Sequence, residues 1–269
     1  MTYPILNFTL KPITVKAQPI TLQTFLPYGT LVESPLPNKL VAAPVNPPHL
    51  QSISAEPTLV NQGYAIKYSP ISPVQNSYES RRSDRQAASP CMSLFCCFPR
   101  KLRISNLSPA TFFFDVGILE RHPFSSQTFI PLSAGFGRSG KECANDHLSS
   151  GTPQNISTLY LVIVAPSLGG QTAAATLKVD GHVKSVVVQE PPDMSNLCAF
   201  IVHPDQAVTY SAGTWHSPMV VLGDSKIDFV VFQFLNGVAE EDCQTVAFDE
   251  AVTVRVESRQ LGQGTLAKL

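Results

Sequence analysis

The alternation of hydrophobic and polar positions along this chain is that of many short strands. Apolar runs at 91–98, 101–105, 112–120, 127–132 and 158–165 are separated by Pro, Gly, Ser or Asn, the residues that break strands and make turns. Further runs at 198–203, 207–210, 217–222, 228–235, 244–248 and 252–257 continue the series, and strands are also expected at 28–33 and 61–68. Between 174 and 188, Asp180-Gly181 divides two β-branched runs, which predicts a tight hairpin. No stretch sustains the 3.6-residue period of an amphipathic helix. A single helical turn is expected at 21–27, capped by Thr21. The pattern predicts an all-β protein, a sandwich or closed barrel with a few short helices.

Composition adds the interruptions. The chain carries 23 prolines in 269 residues, well above the usual ~5%. Residues 34–57, 69–90 and 133–155 show no apolar period and read as loop insertions in a single domain spanning 1–269, with a flexible tail at 258–269. Arg81, Arg82 and Arg85 lie among serines and read as part of a solvated insertion. Lys and Arg number 19 against 20 Asp and Glu. So even a balance offers no field for nucleic acid or an anionic membrane. The apolar run at 159–166 falls far short of the ~20 residues that span a bilayer. The N-terminus lacks the basic flank and apolar core of a signal peptide. A soluble intracellular protein is expected, with Cys91, Cys96, Cys97, Cys143, Cys198 and Cys243 reduced, unpaired and mostly buried as small hydrophobes.

Two stretches carry candidate chemistry. In Gly117–Leu132 (G-I-L-E-R-H-P-F-S-S-Q-T-F-I-P-L), strand alternation puts Glu120 and His122 on one face and Arg121 on the other. Pro123 then ends the strand, residues 124–126 form a bend, and Gln127 opens the next strand. In Tyr210–Pro218 (Y-S-A-G-T-W-H-S-P), a turn at Gly213 leads His216 toward the same barrel mouth. An acid, two imidazoles and an amide could therefore meet. Each residue alone also has a structural reading: a satisfied core histidine, a solvated strand lysine at Lys67, a core or rim aromatic at Trp215. No glycine-rich phosphate loop or dinucleotide fingerprint is present. Two histidines with an amide where a carboxylate ligand would be expected make a poor transition-metal set.

These stretches, with L-Y-L-V-I-V-A-P at 159–166 and L-C-A-F-I-V-H-P-D-Q-A-V-T-Y-S-A-G-T-W-H-S-P at 197–218, resemble the ureidoglycolate lyases of allantoin and purine catabolism. Weaker agreement extends to 21–33, to A-I-K-Y at 65–68 and to E-D-C-Q at 241–244. Ser217 departs from the family, which often has a second histidine there. The insertions resemble fungal members. The resemblance implies a cupin-like double-stranded β-barrel, commonly a homodimer, that splits (S)-ureidoglycolate into glyoxylate and urea by elimination. It implies His216, His122 and Glu120 as the catalytic groups. Lys67, Gln127, Phe129, Tyr210, Trp215 and Arg121 would bind substrate, with Lys67 as carboxylate anchor. No cofactor or resident metal is expected, a weakly held divalent ion being the one addition the pocket could take. The alternatives are a hydrolase that releases ammonia from the same substrate and a non-catalytic barrel that binds a small acid. The last three residues, Ala267-Lys268-Leu269, are a close variant of a peroxisomal import signal, so a peroxisomal or cytoplasmic location and an import receptor are expected.

Overall fold

The computed structural model describes residues 3–6, 12–50, 55–78, 87–106, 108, 110–132 and 158–261. Cys143, the arginines at 81, 82 and 85, the whole of the 133–155 insertion and the Ala267-Lys268-Leu269 terminus lie outside them.

The all-β expectation holds. A large twelve-stranded sheet and a five-stranded sheet make the body, with a separate two-stranded hairpin beside them. The architecture is cupin-like, and its helices are single turns. The turn Leu22–Phe25 starts where Thr21 and Thr24 form a reciprocal capping box, satisfying backbone donors that a short helix cannot pair internally. Asp180 and Gly181 take φ 50° and 78°, the left-handed pair needed to turn strand Thr172–Val179 into His182–Gln189.

Strand Leu159–Ala165 is the spine. All seven of its residues are buried, because it carries a core on each face. Leu159, Leu161, Ile163 and Ala165 join one apolar cluster with Trp215, Val254 and Val256. Tyr160, Val162 and Val164 join the other with Phe129, Phe200, Val208 and Phe229. This is why the run reads as continuous hydrophobicity instead of alternation. The first cluster is enclosed by the large sheet itself. The second fills the space between the large sheet and the five-stranded one.

Four expectations are revised. The runs at 244–248 and 252–257 are one strand, Gln244–Glu257, whose register slips between Ala247 and Val252 opposite Gly117. Residues 258–261 are not part of a loose tail: they form a helical turn with Leu261 buried. The insertion at 69–90 is not simply solvated, since Tyr78 is buried within it. Of the described cysteines all are free but none is fully buried, and Cys96 is exposed. In strand Ser89–Cys97, Cys96 lies opposite Asp228 on the outer side of the five-stranded sheet, where no second layer covers it among the described residues.

Candidate active site

The two informative stretches perform the same topological step. Strand Thr111–Arg121 of the large sheet ends at Pro123, and the chain re-enters the five-stranded sheet as Gln127–Pro131. Strand Ala207–Tyr210 of the five-stranded sheet ends in a turn, and the chain re-enters the large sheet as Trp215–His216. The crossovers lie side by side: the Gly213 amide donates to the His122 carbonyl at 2.8 Å. Gly213 has φ 84°, a conformation open to glycine and strained for other residues. His216 then pairs with Glu120 across strands, and Gln127 with Tyr210.

Register therefore gathers Glu120, His122, His216, Gln127 and Tyr210 at one end of the second core. Glu120 Oε1 lies 3.7 Å from His216 Nε2. The two imidazole centroids are 5.5 Å apart, and the Tyr210 ring stacks on His216 at 4.1 Å and 12°. Gln127 Nε2 donates to Gln233 Oε1 at 2.6 Å, leaving the Gln127 carbonyl oxygen without a partner. Phe129 meets Tyr210 edge-on at 5.9 Å and helps line a cavity of about 310 Å³. Glu120 opens into this cavity, with Phe95, Phe98, Met219 and Arg100 around it.

Both histidines are fixed in the same tautomer. His122 Nδ1 lies 2.5 Å from the Asp242 carbonyl, and His216 Nδ1 lies 3.0 Å from the Thr214 carbonyl. A carbonyl only accepts, so each Nδ1 carries the hydrogen and each Nε2 a lone pair. Neither Nε2 has a hydrogen-bond partner, although both are buried. Burial, and after it the neighbouring His122, pushes the His216 pKa down to about 3. Burial also lowers His122, against the opposing pull of the Asp242 carbonyl. Burial raises the Glu120 carboxyl. At neutral pH the site thus holds two neutral imidazoles facing a carboxyl group that resists ionisation. The two Nε2 atoms and a Glu120 oxygen lie within 4.8 Å of one another. Unpaired, neutral imidazoles and a carboxylate are a donor set that fits a divalent first-row cation.

Three expected substrate ligands are not brought to the imidazoles. Arg121 and Trp215 point to the opposite face of the sheet, as their odd register beside Glu120 and His216 dictates. There the Arg121 guanidinium lies 5.0 Å over the Trp215 ring and bonds Gln244, Ser167, Glu190 and the Gln189 carbonyl. The Trp215 indole donates to the Glu190 carbonyl at 3.0 Å. Lys67 is exposed on the hairpin of Thr58–Val60 and Ala65–Lys67, whose strands, among the described residues, pair only with each other. The cation that does line the Glu120 cavity is Arg100. Its only sequence signal is a position just after Phe98-Pro99, where a strand ends.

Comparison with known proteins identifies the family. The family model described as ureidoglycolate lyase matches residues 12–255. The chain is 30% identical over 243 residues to a ureidoglycolate lyase of Schizosaccharomyces pombe, covering 90% of this chain and 96% of that one. It is 30% identical over 238 residues to one of Saccharomyces cerevisiae, covering 86% and 92%. A Burkholderia mallei ureidoglycolate lyase is 24% identical over 81% of each chain. With both crossovers and all three clustered titratable groups inside the matched span, the chain belongs to the ureidoglycolate lyase family.

Proposed function

We propose that this protein is a ureidoglycolate lyase that eliminates urea from ureidoglycolate and leaves glyoxylate. The observation that carries the reading is the single acid–base group, Glu120, opening into a cavity and backed by two neutral imidazoles. The substrate carries a hydroxyl and a ureido nitrogen on one carbon. Elimination takes the hydroxyl proton, closes the carbon–oxygen double bond, breaks the carbon–nitrogen bond and returns a proton to the nitrogen. Burial raises the Glu120 carboxyl above its ordinary range, which favours the return of a proton to the leaving group, and the ionised form of the same group takes the hydroxyl proton. One Glu120 oxygen takes the hydroxyl proton and the group then protonates the leaving urea. The free Nε2 atoms of His216 and His122 accept hydrogen bonds from the substrate hydroxyl and ureido N–H. The Gln127 carbonyl oxygen offers one more acceptor. Arg100, in the cavity wall, is placed to hold the substrate carboxylate. Trp215 and Arg121 act from behind, fixing the strand that bears Glu120 and His216.

A second version of the same reaction is favoured by the two unpartnered Nε2 atoms. Glu120, His122 and His216 would hold a divalent cation, which would supply Lewis-acid polarisation of the substrate oxygen. A product assay separates these readings. Chelator-treated protein given ureidoglycolate is expected to release urea in step with glyoxylate, faster than uncatalysed breakdown. Activity restored only by added first-row divalent ions would establish the cation version. Ammonia in place of urea would make the protein a hydrolase. No acceleration under either condition would overturn the enzymatic reading.

The expected homodimer has a candidate seam, and we propose that a second copy of this chain docks there. Strand Ser89–Cys97 ends the five-stranded sheet, and among the described residues nothing pairs with its outer edge. Met92 and Leu94 are exposed on it at 72% and 60%. An open apolar edge invites pairing, and antiparallel pairing of one edge with its own copy closes a two-fold dimer. Leu94→Glu is expected to halve the mass measured by light scattering. An unchanged dimer would place the interface elsewhere.

A further inference from the structure

Within the insertion at 69–90, polar in composition, residues 75–78 bond the two crossovers that carry the site. Gln75 bonds Ser126 twice: its amide donates to the Ser126 hydroxyl at 2.9 Å, and its carbonyl accepts from the Ser126 amide at 3.2 Å. The Gln75 side-chain oxygen accepts from the Ala212 amide at 3.0 Å, in the turn that leads to His216. The Ser77 amide donates to the Phe124 carbonyl at 2.7 Å. One short stretch thus ties the two crossovers together.

Tyr78 extends the tie to a third segment. Its ring is 2% exposed and packs on Phe124 with centroids 5.4 Å apart. Its hydroxyl donates to Asp242 Oδ1 at 2.7 Å. The Asp242 carboxylate also accepts from the Asn236 and Gly237 amides, both at 2.8 Å. Asp242 ends a single helical turn, Ala239–Asp242, and one turn has too few internal bonds to hold its own place. The carboxylate bonds fix its Asp242 end, beside the Asn236 and Gln244 side chains that bond Glu241 and Glu240 of the same turn. The backbone carbonyl of this same Asp242 receives the His122 Nδ1 hydrogen. The placement of that carbonyl decides which ring nitrogen of His122 faces Glu120.

We propose that Tyr78 is a positioning residue of the lyase: through Asp242 it holds His122 with Nε2 as the free acceptor. The proposal rests on the lyase reading for its kinetic consequence and on geometry alone for the tautomer. The described segment that carries Tyr78 is accordingly a working part of the site. It touches no substrate itself.

The test is Tyr78→Phe in the full chain. The variant keeps the ring against Phe124 and removes only the hydroxyl. The expected result is a kcat about ten- to a hundredfold lower, with KM for ureidoglycolate within about twofold of wild type. Long-range ¹H–¹⁵N spectra of the imidazoles are expected to show His122 leaving the single Nδ1–H tautomer. Tyr160→Phe, which removes a buried hydroxyl bonded to the Gln206 carbonyl, is expected to keep the wild-type kcat. Wild-type kcat and unchanged His122 signals in Tyr78→Phe would overturn the proposal. So would an equal loss in Tyr160→Phe. If Tyr78→Phe does not fold, Asp242→Asn takes its place with the same expectation, and wild-type kcat there overturns the proposal. An inactive wild type would instead reject the lyase reading, and the imidazole spectra would still decide the positioning.

Discussion

Glu120→Gln is expected to lower kcat by at least about 10²-fold, the usual scale for loss of a general acid–base group. The amide keeps the shape of the carboxyl, so packing against His216 and the cavity wall survives. What it loses is the ability to take up and return a proton. Among the clustered groups Glu120 is the one that reaches the cavity, its side chain 24% exposed against 2% for His216. Burial raises its pKa, whereas both imidazoles are driven down. A histidine with a pKa near 3 is a weak proton acceptor at neutral pH, so proton movement is assigned to Glu120 and orientation to His216. His216→Ala is expected to fall in the same direction. Steady-state kinetics beside thermal unfolding decides the matter. Wild-type turnover in Glu120→Gln at an unchanged melting temperature would remove the group from the chemistry.

How much of this could be read in advance depends on how local the cause was. The face shared by Glu120 and His122 follows from strand alternation, and alternation put Arg121 on the other face. The same rule, applied to the neighbours Trp215 and His216, separates them too; treating both as pocket residues set aside their parity. The spine at 159–165 was legible because a strand with two cores has no polar side. The position of Lys67 was not legible, because nothing local says that its hairpin stays apart from both sheets. Arg100 was hidden for a related reason: it enters the site by the path of the chain after Pro99, and no periodicity marks it. Tyr78 is the clearest case of a long-range cause. Its neighbours are polar and its partner Asp242 lies far along the chain, so composition suggested a solvated loop where the fold needed a tie. The joining of 244–248 with 252–257 escaped because an irregular register keeps the ladder continuous across a stretch that reads as a break.

Acid is expected to destabilise the chelator-treated protein steeply between about pH 6.5 and pH 4, with His216 as the main cause. In the unfolded chain its imidazole titrates near 6.5. In the folded protein burial holds it down to about 3. Between those values the unfolded state binds a proton that the folded state does not, so stability is present above the unfolded pKa and lost as pH falls. The rate is about 1.4 kcal/mol per pH unit, and the whole interval from 6.5 to about 3 is on the order of 4–5 kcal/mol. His122, lowered by burial as well, acts with the same sign. Glu120 acts against them. Its raised pKa means that its contribution is present in acid and lost as pH rises, so it offsets part of the fall at the acid end. The Glu120 charge 3.7 Å away could stabilise an imidazolium, yet desolvation is the larger effect, because the ring is enclosed by Tyr210 and the second core. The measurement is the urea midpoint from pH 7.5 to pH 4 for wild type and His216→Gln. The variant, with nothing to protonate at that site, is expected to show a slope shallower by about one proton. Equal slopes would mean that the His216 site admits water or rearranges on protonation, and that its burial does not govern the acid limit of the fold.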